Sequence, residues 1–350
     1  MPETTAAADT APYAISLESV QQAAARLEGL AHRTPVLTSA TLDALAARDP
    51  LQQRSRVRLF FKCENLQKVG AFKYRGALNA IKKYHEINGD APTTFVTHSS
   101  GNHAQAVALA ARDAGSKAII VMPNNAPIVK QNAVQGYGAE VVLCEPTGEA
   151  RTAAAQLCVE KSNGYFIHPS NDRDVMSGQG TVAVELLEQV AQDFGVQLDA
   201  IVVPVGGGGL CSGVAMAMKS LSKDIKVFAA EPSGAADAHR SFQTGQLSGH
   251  LVPPNTIADG LTSQLGNLNW PVIRDHVDEI LLVSDEEIVS TMKLMWERMK
   301  LVVEPSGAVA TTAVLTNKLP IADDEETDRI QNIGIIISGG NVDLNQLPWL

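Results

Sequence analysis

Four short segments of this 350-residue chain carry residue types that could do chemistry: Val69-Gly70-Ala71-Phe72-Lys73, Ser99-Ser100-Gly101-Asn102-His103, Gly206-Gly207-Gly208-Gly209 and Ser338-Gly339-Gly340-Asn341. The four glycines follow the apolar run Ile201 to Val205 and lead into a helical pattern. Backbone N–H groups in such a run are unshielded and lie at the positive end of a helix dipole, which makes a phosphate cradle. A flexible turn is the plainer alternative, but every glycine in a run costs unfolded-chain entropy. Lys73 opens a helix beginning near Tyr74. Positive potential at a helix N-terminus favours the neutral amine that a Schiff base requires. The cluster from Ser99 to His103 ends a strand and starts a helix, so its N–H groups and hydroxyls can hold a carboxylate. An ordinary serine N-cap accounts for one serine but not for the cluster.

The glycine loop alone leaves the phosphate compound open. Glu231 ends the following strand, roughly where a dinucleotide fold places its ribose-binding acid. No G-x-G-x-x-G frame fits, however: from Gly206 the sixth residue is Cys211, and from Gly207 it is Ser212. The Gly-Lys-Ser/Thr of a P-loop is also missing.

The elements that must position these segments alternate regularly. Thr94 to Thr97, Ala118 to Met122, Glu140 to Cys144 and Tyr165 to His168 read as strands with helices between them. A second series, Ala200 to Val205, Lys226 to Ala230, Glu279 to Val283 and Ile333 to Ile337, is separated by helical stretches at 174–194, 209–221, 285–299 and 306–317. That rhythm means parallel sheets wrapped by helices, an α/β fold. The strand Arg58 to Cys63 and the helix after Lys73 precede the first series. Residues 94–171 are therefore expected as a small inserted unit, with 1–93 and 172–350 forming the large domain. Ligands of open α/β sheets bind outside the carboxyl ends of strands, where three of the four segments fall.

Composition narrows the partners. Twenty-eight Lys and Arg against 38 Asp and Glu give a formal charge of −10, with no basic run to suit nucleic acid or an anionic membrane. The four cysteines, Cys63, Cys144, Cys158 and Cys211, form no C-x-x-C pair, so neither a zinc site nor a disulfide framework is expected. The first 13 residues, Ala- and Thr-rich with acids and no Arg, read as a disordered tail rather than a targeting segment. Apolar runs fall far short of the ~20 residues that span a bilayer, so a cytoplasmic protein is expected.

Taken together, the four segments and the strings Thr97 to His103, Val202 to Gly209, Ile257 to Gly260, Trp296 to Leu301 and Ser338 to Asp343 resemble the fold type II pyridoxal-phosphate enzymes of the serine racemase and serine/threonine dehydratase group. The resemblance runs from about Ser16 to Asp343. It implies two domains of tryptophan synthase β-like fold, each with a mostly parallel twisted sheet wrapped by helices. It makes Lys73 the Schiff-base lysine with Phe72 beside it, Gly206, Gly207, Gly208 and Gly209 the phosphate loop, Ser338 the partner of the pyridine nitrogen, and Asn102 a contact of the ring oxygen. Ser100 becomes the proton donor opposite Lys73; Ser99, Ser100, Gly101, Asn102, His103 and Arg151 become substrate contacts. Glu231, the Ala235 carbonyl and Asp237 match a site for Mg2+ or Ca2+. Gln105, Lys130, Tyr137 and Lys300 match positions near an activating ATP at a homodimer interface. The activity implied is interconversion of L- and D-serine together with elimination of water from serine. A dehydratase of threonine, serine or 3-hydroxyaspartate is the alternative on the same scaffold, and a non-catalytic nucleotide-binding module is the rival of another class. The chain departs from the family pattern at Ala71, Ala104, Thr152 and Ser170-Asn171, which bears on substrate preference and activator response.

Overall fold

A computed structural model describes residues 12–47, 57–319 and 330–350 of the chain. Among the described residues ten strands form two sheets: β1 (Val36–Leu37), β2 (Arg58–Cys63), β3 (Thr94–His98), β4 (Lys117–Pro123), β5 (Glu140–Cys144), β6 (Tyr165–Phe166), β7 (Ala200–Pro204), β8 (Lys226–Pro232), β9 (Glu279–Val283) and β10 (Asn332–Ile337). The six-stranded sheet has the order β1-β2-β10-β7-β8-β9, and the four-stranded sheet the order β5-β4-β3-β6. All pairings are parallel except β1 with β2. The central strands of the larger sheet are apolar almost throughout: Ile201, Val202, Val203, Ile335, Ile336 and Ile337 are buried, as strands covered by helices on both faces must be.

Strand order in both sheets places the site. The chain moves outward from β7 to β8 and β9, then returns to insert β10 between β2 and β7. It moves outward from β3 to β4 and β5, then returns to place β6 on the other side of β3. Each return is a switch point, where a crevice opens at the carboxyl ends of neighbouring strands. The loops at these ends are Ser99–Gly101 after β3, 167–172 after β6, Val205–Gly208 after β7 and Ser338–Asn341 after β10.

Three differences from the sequence reading are local. Tyr165 to His168 shortens to Tyr165–Phe166, because His168 leaves the sheet and turns its ring nitrogen onto its own following backbone. The two-residue strand β1 and the helices Leu17–Leu27, Ala40–Ala46, Asp237–Thr244 and Trp270–His276 were not expected. The first of these helices has its signal in Ser16 and Ser19, which form a reciprocal capping box. Residues 1–11 of the expected tail lie outside the described residues; Tyr13, expected as its last residue, instead packs edge-on against His276 and donates a 3.2 Å hydrogen bond to Asp275.

The helix Lys73–Asn88 is anchored by a buried ion cluster two residues beyond its first residue. Arg75 donates from Nε and Nη2 to both oxygens of Glu64 at 2.8 and 2.9 Å, and from Nη1 and Nη2 to Glu185 at 2.7 and 2.8 Å. Lys62 donates to Glu185, to Gln189 and to the Thr34 carbonyl, at 2.7–2.8 Å. Burial opposes the charge on Arg75, but its two carboxylate partners win and hold the guanidinium above its ordinary range. Two cations and two anions cancel, and the planar guanidinium spans two carboxylates as an ammonium could not. Arg75→Met is expected to lower unfolding stability in urea by about 3–5 kcal/mol, because it removes the ion-pair partner of buried Glu64 and leaves only the more distant Lys62 charge. A loss below about 1 kcal/mol would contradict this role.

Candidate active site

Lys73 occupies the first turn of its helix, with Phe72 as the N-cap residue and no capping side chain. Its Nζ donates a 2.8 Å hydrogen bond to the Pro169 carbonyl beyond β6 and lies 5.2 Å from the Phe72 ring centroid. The surrounding protein strips water from the amine and brings its pKa down to about 8. The backbone just before it is stitched to the loop after β10: Phe72 N donates to Ser338 O at 3.0 Å and Gly340 N to Gly70 O at 2.9 Å. Ala71, in place of the family's usual serine, is fully buried in this contact and forms a bridge with Gly339.

The glycine loop is built for close approach. A Cβ on Gly206 would come 2.8 Å from the Leu261 backbone, and one on Gly207 would come 2.4 Å from Ser170 Oγ. Gly208 adopts φ +91°, which a side chain would strain, and caps the helix Gly209–Leu221. Its neighbour Asn269 is fully buried, donating to the carbonyls of Gly207 at 3.0 Å and Ser170 at 3.2 Å while accepting from Ser212 at 2.7 Å. Asn269 thus fixes the loop so that its N–H groups remain for a ligand, a role that no local motif revealed.

The Ser99–His103 segment divides in its roles. Ser99 accepts from Gly101 N at 3.2 Å, shaping the turn. Ser100 and Gly101 are half-buried before the helix Asn102–Asp113. Asn102 donates to Glu304 at 2.8 Å and accepts from Asn341 at 2.8 Å. The His103 imidazole turns inward, 2% exposed, with Nε2 3.5 Å from the Ile167 carbonyl and Nδ1 without a hydrogen-bond partner. Burial holds this ring neutral, its pKa well below the ordinary value, so substrate could meet His103 only through its backbone. Ala104 is fully buried beside it.

Glu304, absent from the sequence reading, closes this part of the site. It accepts from Asn102 at 2.8 Å and from Asn341 N at 3.0 Å, while Asn341 also donates to Val69 O at 2.7 Å. Burial and then Asp259 push its carboxyl up to about 8, against the pull of its two donors and of Lys130. The only hint in sequence was its position before Pro305, at the start of a helix. Ser338 is buried, its hydroxyl 3.4 Å from the Ser306 carbonyl.

Above Lys73, His168 accepts N–H groups from Ser170 at 3.2 Å and Asn171 at 2.8 Å on Nδ1, which leaves its proton on Nε2. Burial, then His98 and Lys73, lowers His168 to about 4. His98 contacts the rings of Phe166 and His168 and is lowered by burial and by the charge of Arg151. Arg151 bonds within its own helix, Nε to Thr147 O at 3.3 Å, and Thr152 is exposed.

The residues expected to hold a cation and a nucleotide lie elsewhere. Glu231 and Asp237 are both buried, as is Ala235. Glu231 accepts from Ala238 N at 2.9 Å and His239 N at 2.8 Å, and burial raises its pKa to about 8. Lys130 forms a 2.8 Å ion pair with Asp259, and the Tyr137 ring lies under Arg112. Lys300 takes a left-handed backbone conformation. Among the described residues no hydrogen bond or ion pair joins any two of Gln105, Lys130, Tyr137 and Lys300.

A half-buried lysine of lowered pKa, a glycine loop at a helix N-terminus and a hydroxyl-rich loop, gathered at two switch points, define the class: an α/β enzyme that holds a phosphorylated aldehyde on an amine. The model of the pyridoxal-phosphate dependent enzymes matches residues 28–339, and the chain belongs to that family. It is 45% identical to the serine racemase of Rattus norvegicus over 342 residues, 97% of each chain, and 46% identical to that of Arabidopsis thaliana over 335 residues, 96% of each. The solved structure of maize serine racemase superposes with a TM-score of 0.86 at 44% identity, covering 95% of each chain.

The lysine geometry makes a pH prediction. In cofactor-free protein the fraction of neutral Lys73 grows as pH rises through about 8. Acylation of Lys73 by an amine-directed reagent, followed by peptide mass spectrometry, is expected to show that midpoint, against ~10.4 for exposed lysines. A midpoint near that of the surface lysines would contradict the desolvated site.

Proposed function

We propose that this chain interconverts L- and D-serine and also eliminates water from serine to give pyruvate and ammonia. The observation that carries the reading is the convergence of Lys73, the Ser99–Gly101 turn and the glycine loop at adjoining strand ends, in a chain about 45% identical to serine racemases over nearly its whole length.

The residues present fit pyridoxal phosphate. Gly206 to Gly209 form a cradle that any Cβ would fill, at the positive end of a helix, and suit its phosphate. Lys73, its pKa lowered to about 8, reaches the neutral amine more readily than an exposed lysine and suits its aldehyde. When bound, the cofactor supplies an electron sink that acidifies the Cα–H of an attached amino acid. Ser338 offers the ring nitrogen a neutral hydroxyl rather than a carboxylate, and Asn102 offers an amide to the ring oxygen. The N–H groups and hydroxyls of Ser99, Ser100 and Gly101 bind the substrate carboxylate, with Arg151 a further contact. Lys73 Nζ takes the Cα proton on one face, and Ser100 Oγ delivers its own hydroxyl proton on the other, with exchange with solvent restoring both groups. A proton returned on the opposite face inverts the centre; loss of the β-hydroxyl instead gives elimination.

The cation site at Glu231, Asp237 and the Ala235 carbonyl fits a divalent ion. Asp237 Oδ1 is buried without a hydrogen-bond partner, and the charge of Asp237 adds to burial in disfavouring that of Glu231. Mg2+ or Ca2+ there would tie the helix Asp237–Thr244 to the strand β8. Gln105, Lys130, Tyr137 and Lys300 carry donors suited to ATP, but Asp259 already engages Lys130, so this part of the reading calls for a second subunit. A cytoplasmic homodimer completes it.

Ser100→Ala tests the two-sided proton transfer. Formation of pyruvate from L-serine is expected to persist in part, while racemisation in deuterated water falls by ~10²- to 10⁴-fold in both directions, the usual cost of losing a positioned acid or base. D-serine formation close to the unmutated rate would reduce Ser100 to a carboxylate-binding cap.

A further inference from the structure

Serine as substrate leaves one group without a partner, its β-hydroxyl, and the wall between Lys73 and the Ser99–Gly101 turn carries a donor for it. His98 ends β3 and leads directly into that turn, while His168 leads into Pro169, whose carbonyl receives Lys73 Nζ at 2.8 Å. The two imidazoles meet edge-on, with ring centroids 5.8 Å apart at 81°. Phe166 packs against both, 5.3 Å from His98 and 6.2 Å from His168. The pair thus lines the interval between the place of the substrate nitrogen and the place of its carboxylate. A substrate anchored at both points has these rings beside its side chain.

His168 has its tautomer fixed by the backbone. Nδ1 accepts the N–H groups of Ser170 at 3.2 Å and Asn171 at 2.8 Å, so the proton of the neutral ring sits on Nε2. Among the described residues Nε2 has no hydrogen-bond partner, and it is not sealed from solvent. Burial, then His98 and Lys73, keeps the ring uncharged at neutral pH. A fixed, neutral and unpaired N–H suits the oxygen of a hydroxyl, and it brings no countercharge for a carboxylate.

We propose that His168 recognises the β-hydroxyl of the substrate, its Nε2–H donating a hydrogen bond to that oxygen, and so selects hydroxy amino acids at this site. The inference rests on the serine reading of the preceding section and names the group that reads the side chain. A site that places a donor for a hydroxyl discriminates against a substrate lacking one, because the donor is then left unpaired.

The experiment compares pyruvate formation from L-serine and from β-chloro-L-alanine by cofactor-loaded protein, since chloride departs without a hydrogen-bond donor. His168→Asn keeps an oxygen that can accept the Ser170 and Asn171 N–H groups but removes the more distant donor. His168→Phe keeps the ring packing against His98 and Phe166 and also removes the donor. In both variants kcat/KM for L-serine is expected to fall by roughly 10- to 100-fold, and that for β-chloro-L-alanine by less than about threefold. Equal losses on the two substrates, or serine turnover close to the unmutated rate in His168→Asn, would overturn the proposal and make His168 a cap of its own loop. Should His168→Asn not fold, the same ratio in His168→Phe decides. Unmutated protein that forms pyruvate from β-chloro-L-alanine but not from L-serine would instead remove the serine reading, and this inference with it.

Discussion

The hydrogen bonds among Glu304, Asn102 and Asn341 join the two sheets where the chemistry sits. Asn102 starts a helix after β3 of the small sheet, while Glu304 and Asn341 flank β10 of the large one, and Val69 brings in the turn that leads to Lys73. One buried carboxylate therefore holds three loops in register across the seam, and the Lys130–Asp259 ion pair spans the same seam nearby. Were these loops free to drift apart, the strand ends of either sheet would remain folded, but no crevice of fixed shape would lie between them.

On the large-sheet side the lysine gains its position from a different device. Arg75 sits two residues after Lys73, and its fork to Glu64 and Glu185 fixes the first turn of the helix against the end of β2 and the long helix Arg173–Phe194. The small sheet then supplies the Pro169 carbonyl that receives the amine. Lys73 is thus held from both domains, which explains how a flexible four-carbon side chain can present its nitrogen at one place. The low pKa follows from the same enclosure, since burial acts on the amine with no anion among the described residues near enough to offset it.

Much of this was legible in sequence because its signals are local. Every strand of the two expected series exists, since β-branched runs bounded by glycine and polar turns repeat at α/β spacing. The glycine loop and the Lys73 helix start lie where the residue pattern placed them. What sequence did not reveal depends on contacts between distant segments. Asn269 reaches the glycine loop from 62 residues away, and Glu304 reaches Asn102 from 202 residues away. Neither carries a local pattern that separates it from an ordinary polar residue. His103 shows a different limit: its place in a reactive-looking string says nothing of its ring, which helical periodicity turns into the core, leaving its backbone for the expected substrate contact.

The central claim is that Lys73, and no other lysine, anchors the cofactor in this crevice. Reduction of the cofactor-loaded protein with borohydride, followed by digestion and mass spectrometry, tests it directly. The account predicts one pyridoxyl-phosphate adduct per chain, on Lys73, removed by adding substrate before the reductant. An adduct on another lysine at equal yield, or none on Lys73, would contradict it.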